Sequence, residues 1–121
     1  LLGNLGTYPY GGGYQHDLTQ DAELRFSYRT GWPISQFSDS YTITDANRFY
    51  HVASVYQRVD SLTIIKLYVD GLLVDSSVFA EPIHYSSTDK FYLGTNIDGR
   101  ASGSFAVREL PGILDEIRIS R

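Results

Sequence analysis

Two groups of residues in this chain have the types and spacing to do chemistry. Asn96-Ile97-Asp98-Gly99 offers an amide oxygen, a main-chain carbonyl and a carboxylate in adjacent positions. Calcium takes hard oxygens of this kind, roughly six to eight at a time, so Asn96, the Ile97 carbonyl and Asp98 are candidate metal ligands. The remaining ligands would have to come from another loop, and the nearest, Gly11 to Gly13, carries no carboxylate. Asn, Asp and Gly also close Asx turns with no metal, and that simpler reading stands ahead of calcium. The second group is aromatic. Tyr8, Tyr10 and Tyr14 cluster around a glycine loop, and Trp32 stands in the stretch TGWPIS. Exposed rings stack on the apolar faces of sugars, which makes these four the candidate ligand-binding residues. Tyr and Phe also fill the strands of a sandwich by packing alone, and this reading remains open beside the first.

Catalytic arrangements are harder to assemble. Asp115 and Glu116 are adjacent, so a strand would aim them to opposite faces, and Asp21 and Glu23 lie at a turn. No serine occupies a strained Gly-x-Ser-x-Gly turn. His16 and His84 have no His or Cys at i+2 or i+4 to share a zinc ion, and His51 reads as a sheet residue of the HVA stretch. The chain has no cysteine, which removes disulfides, thiolate zinc sites and thiol catalysis together. A noncatalytic protein is expected.

The elements that must position these residues are strands. Tyr50 to Tyr56 and Leu62 to Val69 are rich in aromatic and β-branched residues. Asp70-Gly71 takes positive φ cheaply, so the chain should turn there and return antiparallel along Leu72 to Ser77. In the last segment Ile113, Ile117 and Ile119 alternate with Glu116 and Arg118, the two-residue period of a strand with one covered face. That phase aims Asp115 inward, where a carboxylate bonding backbone amides is expected, and Glu116 outward. No stretch sustains a period of 3.6. The fold class is therefore all-β, an antiparallel β-sandwich.

Length and charge bound the rest. The 121 residues suit a single domain, 1–121, and can bury a core. A net charge of -4 with no basic stripe makes nucleic acid and anionic membrane surfaces poor partners. No apolar run approaches the roughly twenty residues of a bilayer span, and no signal-peptide pattern is present. The chain contains no methionine, so Leu1 is expected to begin a processed product, a cut domain or a fragment.

Four stretches occur in a recognisable order: FYHVASVY (Phe49 to Tyr56), LYVDG (Leu67 to Gly71), FYLGTNIDG (Phe91 to Gly99) and GILDEIRISR (Gly112 to Arg121). Together they resemble the second half of a laminin G-like domain, the jelly-roll type of the concanavalin A-like lectin and glucanase superfamily. The resemblance extends toward Leu1 with less specific residues: LLGNLGT as a strand, Tyr8 to Gly13 as a loop, Tyr14 to Leu18 as a strand, Thr19 to Ala22 as a turn and Glu23 to Tyr28 as the returning strand. The family's first strands have no counterpart, which implies open edges that a neighbouring segment, a second copy or another chain completes.

The resemblance implies recognition rather than catalysis. Glycosidases of this superfamily alternate Glu, apolar, Asp, spacer, Glu along one strand, and no such alternation exists here. Pentraxins of the superfamily carry calcium on rim loops, which is the family's support for Asn96, Ile97 and Asp98. An acidic residue at the place of Asp115 is also a family feature. The leading function is a noncatalytic adhesion or carbohydrate-binding module of a larger extracellular or cell-surface protein, with a glycan or protein ligand. The alternatives are an assembly module that pairs through its open edges and part of a glycan-active enzyme.

Overall fold

Alternation of apolar side chains decides the layers. In β6 (Leu62–Val69) the residues Thr63, Ile65, Leu67 and Val69 are buried and those between them are half-buried, so one face is covered and the other partly open. The computed structural model describes residues 2–5, 13–19, 21–29, 36–82, 92, 93, 95–99, 105–109, 113 and 115–120. Among them β6 is flanked by β5 (Val52–Val59) and β7 (Leu72–Phe79) in an antiparallel three-stranded sheet of order β5-β6-β7.

Turn chemistry sets this sheet's connections. Asp60 takes φ 53° between β5 and β6, and Asp70 at φ 52° with Gly71 at φ 81° closes the next hairpin. Two successive positive φ values suit a turn whose twist matches that of the strands it joins. The strand Leu62 to Val69 and its turn are as the residues foretold, whereas β7 runs past Ser77 to Phe79 and β5 begins at Val52 rather than Tyr50. One irregularity marks the second hairpin. Leu67 pairs with Asp75 and Tyr68 with Leu73, which leaves Val74 as the extra residue of a bulge.

A five-stranded antiparallel sheet of order β4-β3-β2-β1-β8 makes the other layer, from β1 (Leu2–Leu5), β2 (Gly13–Leu18), β3 (Glu23–Arg29), β4 (Gln36–Thr42) and β8 (Tyr92–Leu93). The turn between β2 and β3 falls where it was expected: the Ala22 N–H donates to the Thr19 carbonyl at 3.2 Å, and the Glu23 N–H donates to Thr19 Oγ1 at 3.1 Å. A separate hairpin pairs β9 (Thr95–Gly99) with β10 (Phe105–Glu109). No described residue is helical.

The two larger sheets face one another across Phe26, Tyr28, Ile65, Leu67 and Phe79, with Tyr14, Tyr41, Val52 and Val74 packed around them. Tyr28 of β3 lies flat on Phe79 of β7, ring centroids 4.8 Å apart. Each such side chain removed from water contributes about 1.5–3 kcal/mol. The architecture is an antiparallel sandwich.

Two expectations are corrected. Asn96 to Gly99, read as a loop, belongs to β9, where Asn96 pairs with Arg108, Ile97 with Val107 and Asp98 with Ala106. A partner strand supplies hydrogen bonds that turn-forming side chains otherwise provide, and so overrides their local preference. The last segment shows the reverse. Residues 113 and 115–120 form no strand, and Ile113, Ile117 and Ile119 are 78%, 42% and 64% exposed. Alternation buries a face only where a ladder and a second layer receive it, and no described residue pairs with this segment. Asp115 is accordingly exposed rather than inward, its Oδ1 accepting the Glu116 N–H at 3.0 Å, and Glu116 is exposed as expected.

Candidate functional site

The loop 43–51 carries the chain from β4 to β5 and meets the Asp70-Gly71 turn at one end of the sandwich. Asp45 begins its ordering, because its carboxylate Oδ1 accepts the Asn47 N–H at 2.9 Å, an Asx turn built from a short acceptor two residues back. The Tyr50 hydroxyl closes the loop by donating to the Asp45 carbonyl at 2.8 Å and accepting the Asp45 N–H at 3.1 Å. The Tyr50 ring leans on Tyr41 of β4, centroids 6.5 Å apart.

Asp70 then ties the loop to the hairpin. Its Oδ1 accepts the His51 N–H at 3.0 Å, and its own N–H donates to the His51 carbonyl at 2.8 Å. Its Oδ2 receives the Arg48 guanidinium at 2.8 Å. Arg48 in turn covers the Tyr50 ring, 3.9 Å from its centroid, a cation on a π face. The His51 N–H and then Arg48 hold the Asp70 carboxyl below the usual carboxylate range, and the Asp70 bond holds Arg48 above its ordinary value. His51, expected inside a strand, precedes β5 and is exposed. Phe49 stands out from this braced loop, 70% exposed.

Between the sheets runs a line of polar groups. His16 Nε2 of β2 lies 2.5 Å from Ser54 Oγ of β5, and its ring stacks on Phe26 at 4.8 Å. Nδ1 is buried without a partner. Burial holds the His16 imidazole down at about 4, and the imidazolium, which carries a proton on both nitrogens, would leave an Nδ1–H there with nothing to accept it. At the far edge Ser77 Oγ of β7 donates to Asp39 Oδ1 of β4 at 2.5 Å, and the Ser40 N–H donates to Asp75 Oδ2 at 2.8 Å. At one end the Glu81 carbonyl accepts both the Tyr28 hydroxyl at 2.9 Å and Thr63 Oγ1 at 2.7 Å, while Arg58 donates to Thr63 Oγ1 at 2.7 Å. A serine beside a histidine is the start of a nucleophilic pair, but the orienting acid that a triad needs on Nδ1 is missing.

The residues singled out from sequence fall unevenly. Trp32, Tyr8 and Tyr10 lie outside the described residues. Tyr14 is half-buried on β2 and tilts against Phe26 at 6.3 Å, packed on the core. Asn96, Ile97 and Asp98 are placed by the β9 ladder alone. No group of three or more His, Asp or Glu that could hold a metal occurs among the described residues. The rim of Asp45, Arg48, Phe49, Tyr50 and Asp70 was missed by sequence reasoning. The polar run Asp45-Ala46-Asn47-Arg48 before Phe49 is a loop signal that would have pointed to it.

Comparison with known families matches the chain to a laminin G-like family model, described as the concanavalin A-like lectin/glucanases superfamily, over residues 5–121. No curated protein and no solved structure matches the chain significantly. The chain, a two-layered antiparallel sandwich whose loop 43–51 is braced on a hairpin, thus belongs to the concanavalin A-like lectin/glucanase superfamily.

Proposed function

We propose that this chain is a noncatalytic carbohydrate-binding or adhesion module, acting outside the cell or at its surface, that meets its ligand with the rim 43–51. The observation that carries the reading is the exposed Phe49 ring, 70% accessible on a loop whose neighbours are fixed by Asp45, Tyr50 and Asp70. An apolar ring held ready in a polar frame suits the face of a sugar, and a loop already ordered gives up little entropy on binding. Superfamily membership supports binding of this general type.

A glycan array followed by calorimetry, each with and without calcium, tests it. Phe49→Ala should weaken glycan binding about tenfold, the loss of one stacking contact, with an unchanged melting temperature. Loss in Trp32→Ala but not Phe49→Ala moves the platform to the tryptophan loop. Dependence on calcium abolished by Asp98→Ala supports the Asn96, Ile97 and Asp98 metal site. No glycan bound under either condition rejects the carbohydrate reading.

A second reading is favoured by the sheet edges. Among the described residues β5 and β7 each pair only with β6, which leaves them the marginal strands of the three-stranded sheet. An assembly module would use them to recruit a second copy or another chain. Sedimentation of a single monomeric species at all concentrations would reject self-assembly.

A further inference from the structure

Asp39 stands on β4 across the ladder from Phe26 and is 0% exposed. Ser77 of the opposite sheet donates to its Oδ1, and Oδ2 has no partner. The carboxylate of Asp75 is drawn to the same seam. Its Oδ2 accepts the N–H of Ser40, the residue after Asp39, and its Oδ1 accepts the Ser76 N–H at 2.9 Å. Two carboxyl groups therefore meet where β4 packs on β7, and one of them is wholly buried with half its hydrogen-bonding capacity unused.

Among the described residues the elements around Asp39 offer no compensating cation. From β7 the facing charge is Asp75, another acid. From β6 the buried residues are Thr63, Ile65 and Leu67, and Lys66 falls on the alternate face. From β3 it is Phe26, while Arg25 lies on the other face in an ion pair with Asp17. Beyond Phe26 on β2 stands His16, engaged with Ser54. An ionised Asp39 would be a buried charge with one hydrogen bond and a like charge beside it, and a neutral carboxyl would carry no such penalty.

We propose that Asp39 is a proton-operated latch between the two sheets: joined to β7 by the Ser77 hydroxyl, its carboxyl closes the seam when neutral, and loss of the proton leaves a buried, half-partnered charge beside Asp75 that loosens the packing there even though the Ser77 bond itself favours the carboxylate. Burial, assisted by Asp75 and opposed by the Ser77 bond, pushes this carboxyl above its ordinary value. The sign follows. Below the ordinary value near 3.8 both folded and unfolded chains hold the proton and there is no cost. As pH rises, the unfolded chain ionises first, so stability falls until the folded carboxyl ionises too, and is level beyond.

Asp39→Asn keeps the shape and cannot ionise, so urea denaturation of this variant and the parent protein from pH 3 to 9 is the test. The variant's folding equilibrium constant should gain on the parent's as pH rises above the ordinary carboxylate range, by at most about tenfold per pH unit, then reach a plateau. Amide-exchange protection at Ser40 and Ser77, taken relative to the intrinsic rate at each pH, should fall across the same range in the parent alone. Carbon NMR of the parent's carboxyl groups reads the Asp39 midpoint directly, and decides the matter even if the variant does not fold. A ratio flat across pH with an ordinary Asp39 midpoint overturns the proposal. So does calcium that raises the melting temperature of the parent but not of the variant, because a cation would then occupy the proton's place.

Discussion

Acid should weaken this sandwich through His16. The imidazole is held at about 4 in the folded chain against 6.5 when free, a displacement of about 2.5 pH units. Each unit is worth about 1.4 kcal/mol, so the folded state loses at most about 3 kcal/mol between neutral pH and pH 4. The direction is set by the sign: the unfolded chain takes up the proton first as pH falls below 6.5, and the loss ends once the folded imidazole also protonates. Against a total of about 5–15 kcal/mol for a small domain this is a large fraction. Urea denaturation followed by tyrosine and tryptophan fluorescence at pH 7 and pH 4, on the parent and on His16→Gln, isolates the effect. Glutamine can still reach Ser54 but does not titrate, and the carboxylates shared by both proteins cancel in the difference. The parent should lose up to about 3 kcal/mol more than the variant over this interval. Equal losses, or a His16 midpoint near 6.5 by NMR, would refute the assignment of a buried, one-sided imidazole.

Leu67→Ala removes a side chain that is 0% exposed at the centre of the core, and should cost about 2–5 kcal/mol in chemical denaturation with an unchanged denaturant slope. Gly71→Ala is a purely backbone perturbation, since an added Cβ would meet nothing within 4 Å at φ +81°. It should cost about 1 kcal/mol by the same measurement, and a stabilised variant would mean the turn is not left-handed there.

How far the residues alone disclosed this fold depended on whether local chemistry or distant partners decide each element. The β6–β7 hairpin was legible because Asp70-Gly71 interrupts two apolar runs and the turn needs nothing else. β4 was not, because Gln36–Thr42 is polar apart from its aromatics, and Asp39 looks like a surface residue until Ser77, 38 positions away, is set against it. The closing segment misled in the opposite sense, since the alternation of Ile113, Ile117 and Ile119 is a capacity for burial, not burial itself. The rim was hidden for a similar reason. Arg48 and His51 become part of one surface only because Asp70, 19 residues beyond His51, reaches back to them.

The unpaired Val74 splits β7 into two halves that keep different phase. Leu72 and Leu73 follow the count imposed by the hairpin, whereas Asp75, Ser77 and Phe79 follow the count that turns them toward the opposite layer. Deleting that one residue would remove the bulge and bring both halves to a single count, with Tyr68 still opposite Leu73 and Leu67 still opposite Asp75, so the tethers to β4 and the Phe79 contact would persist and only the packing of Val74 on the core would be lost. The bulge therefore lets the strand lose residue 74 without changing which side chains face the opposite layer, and the turn and the interlayer contact can be altered independently on either side of it.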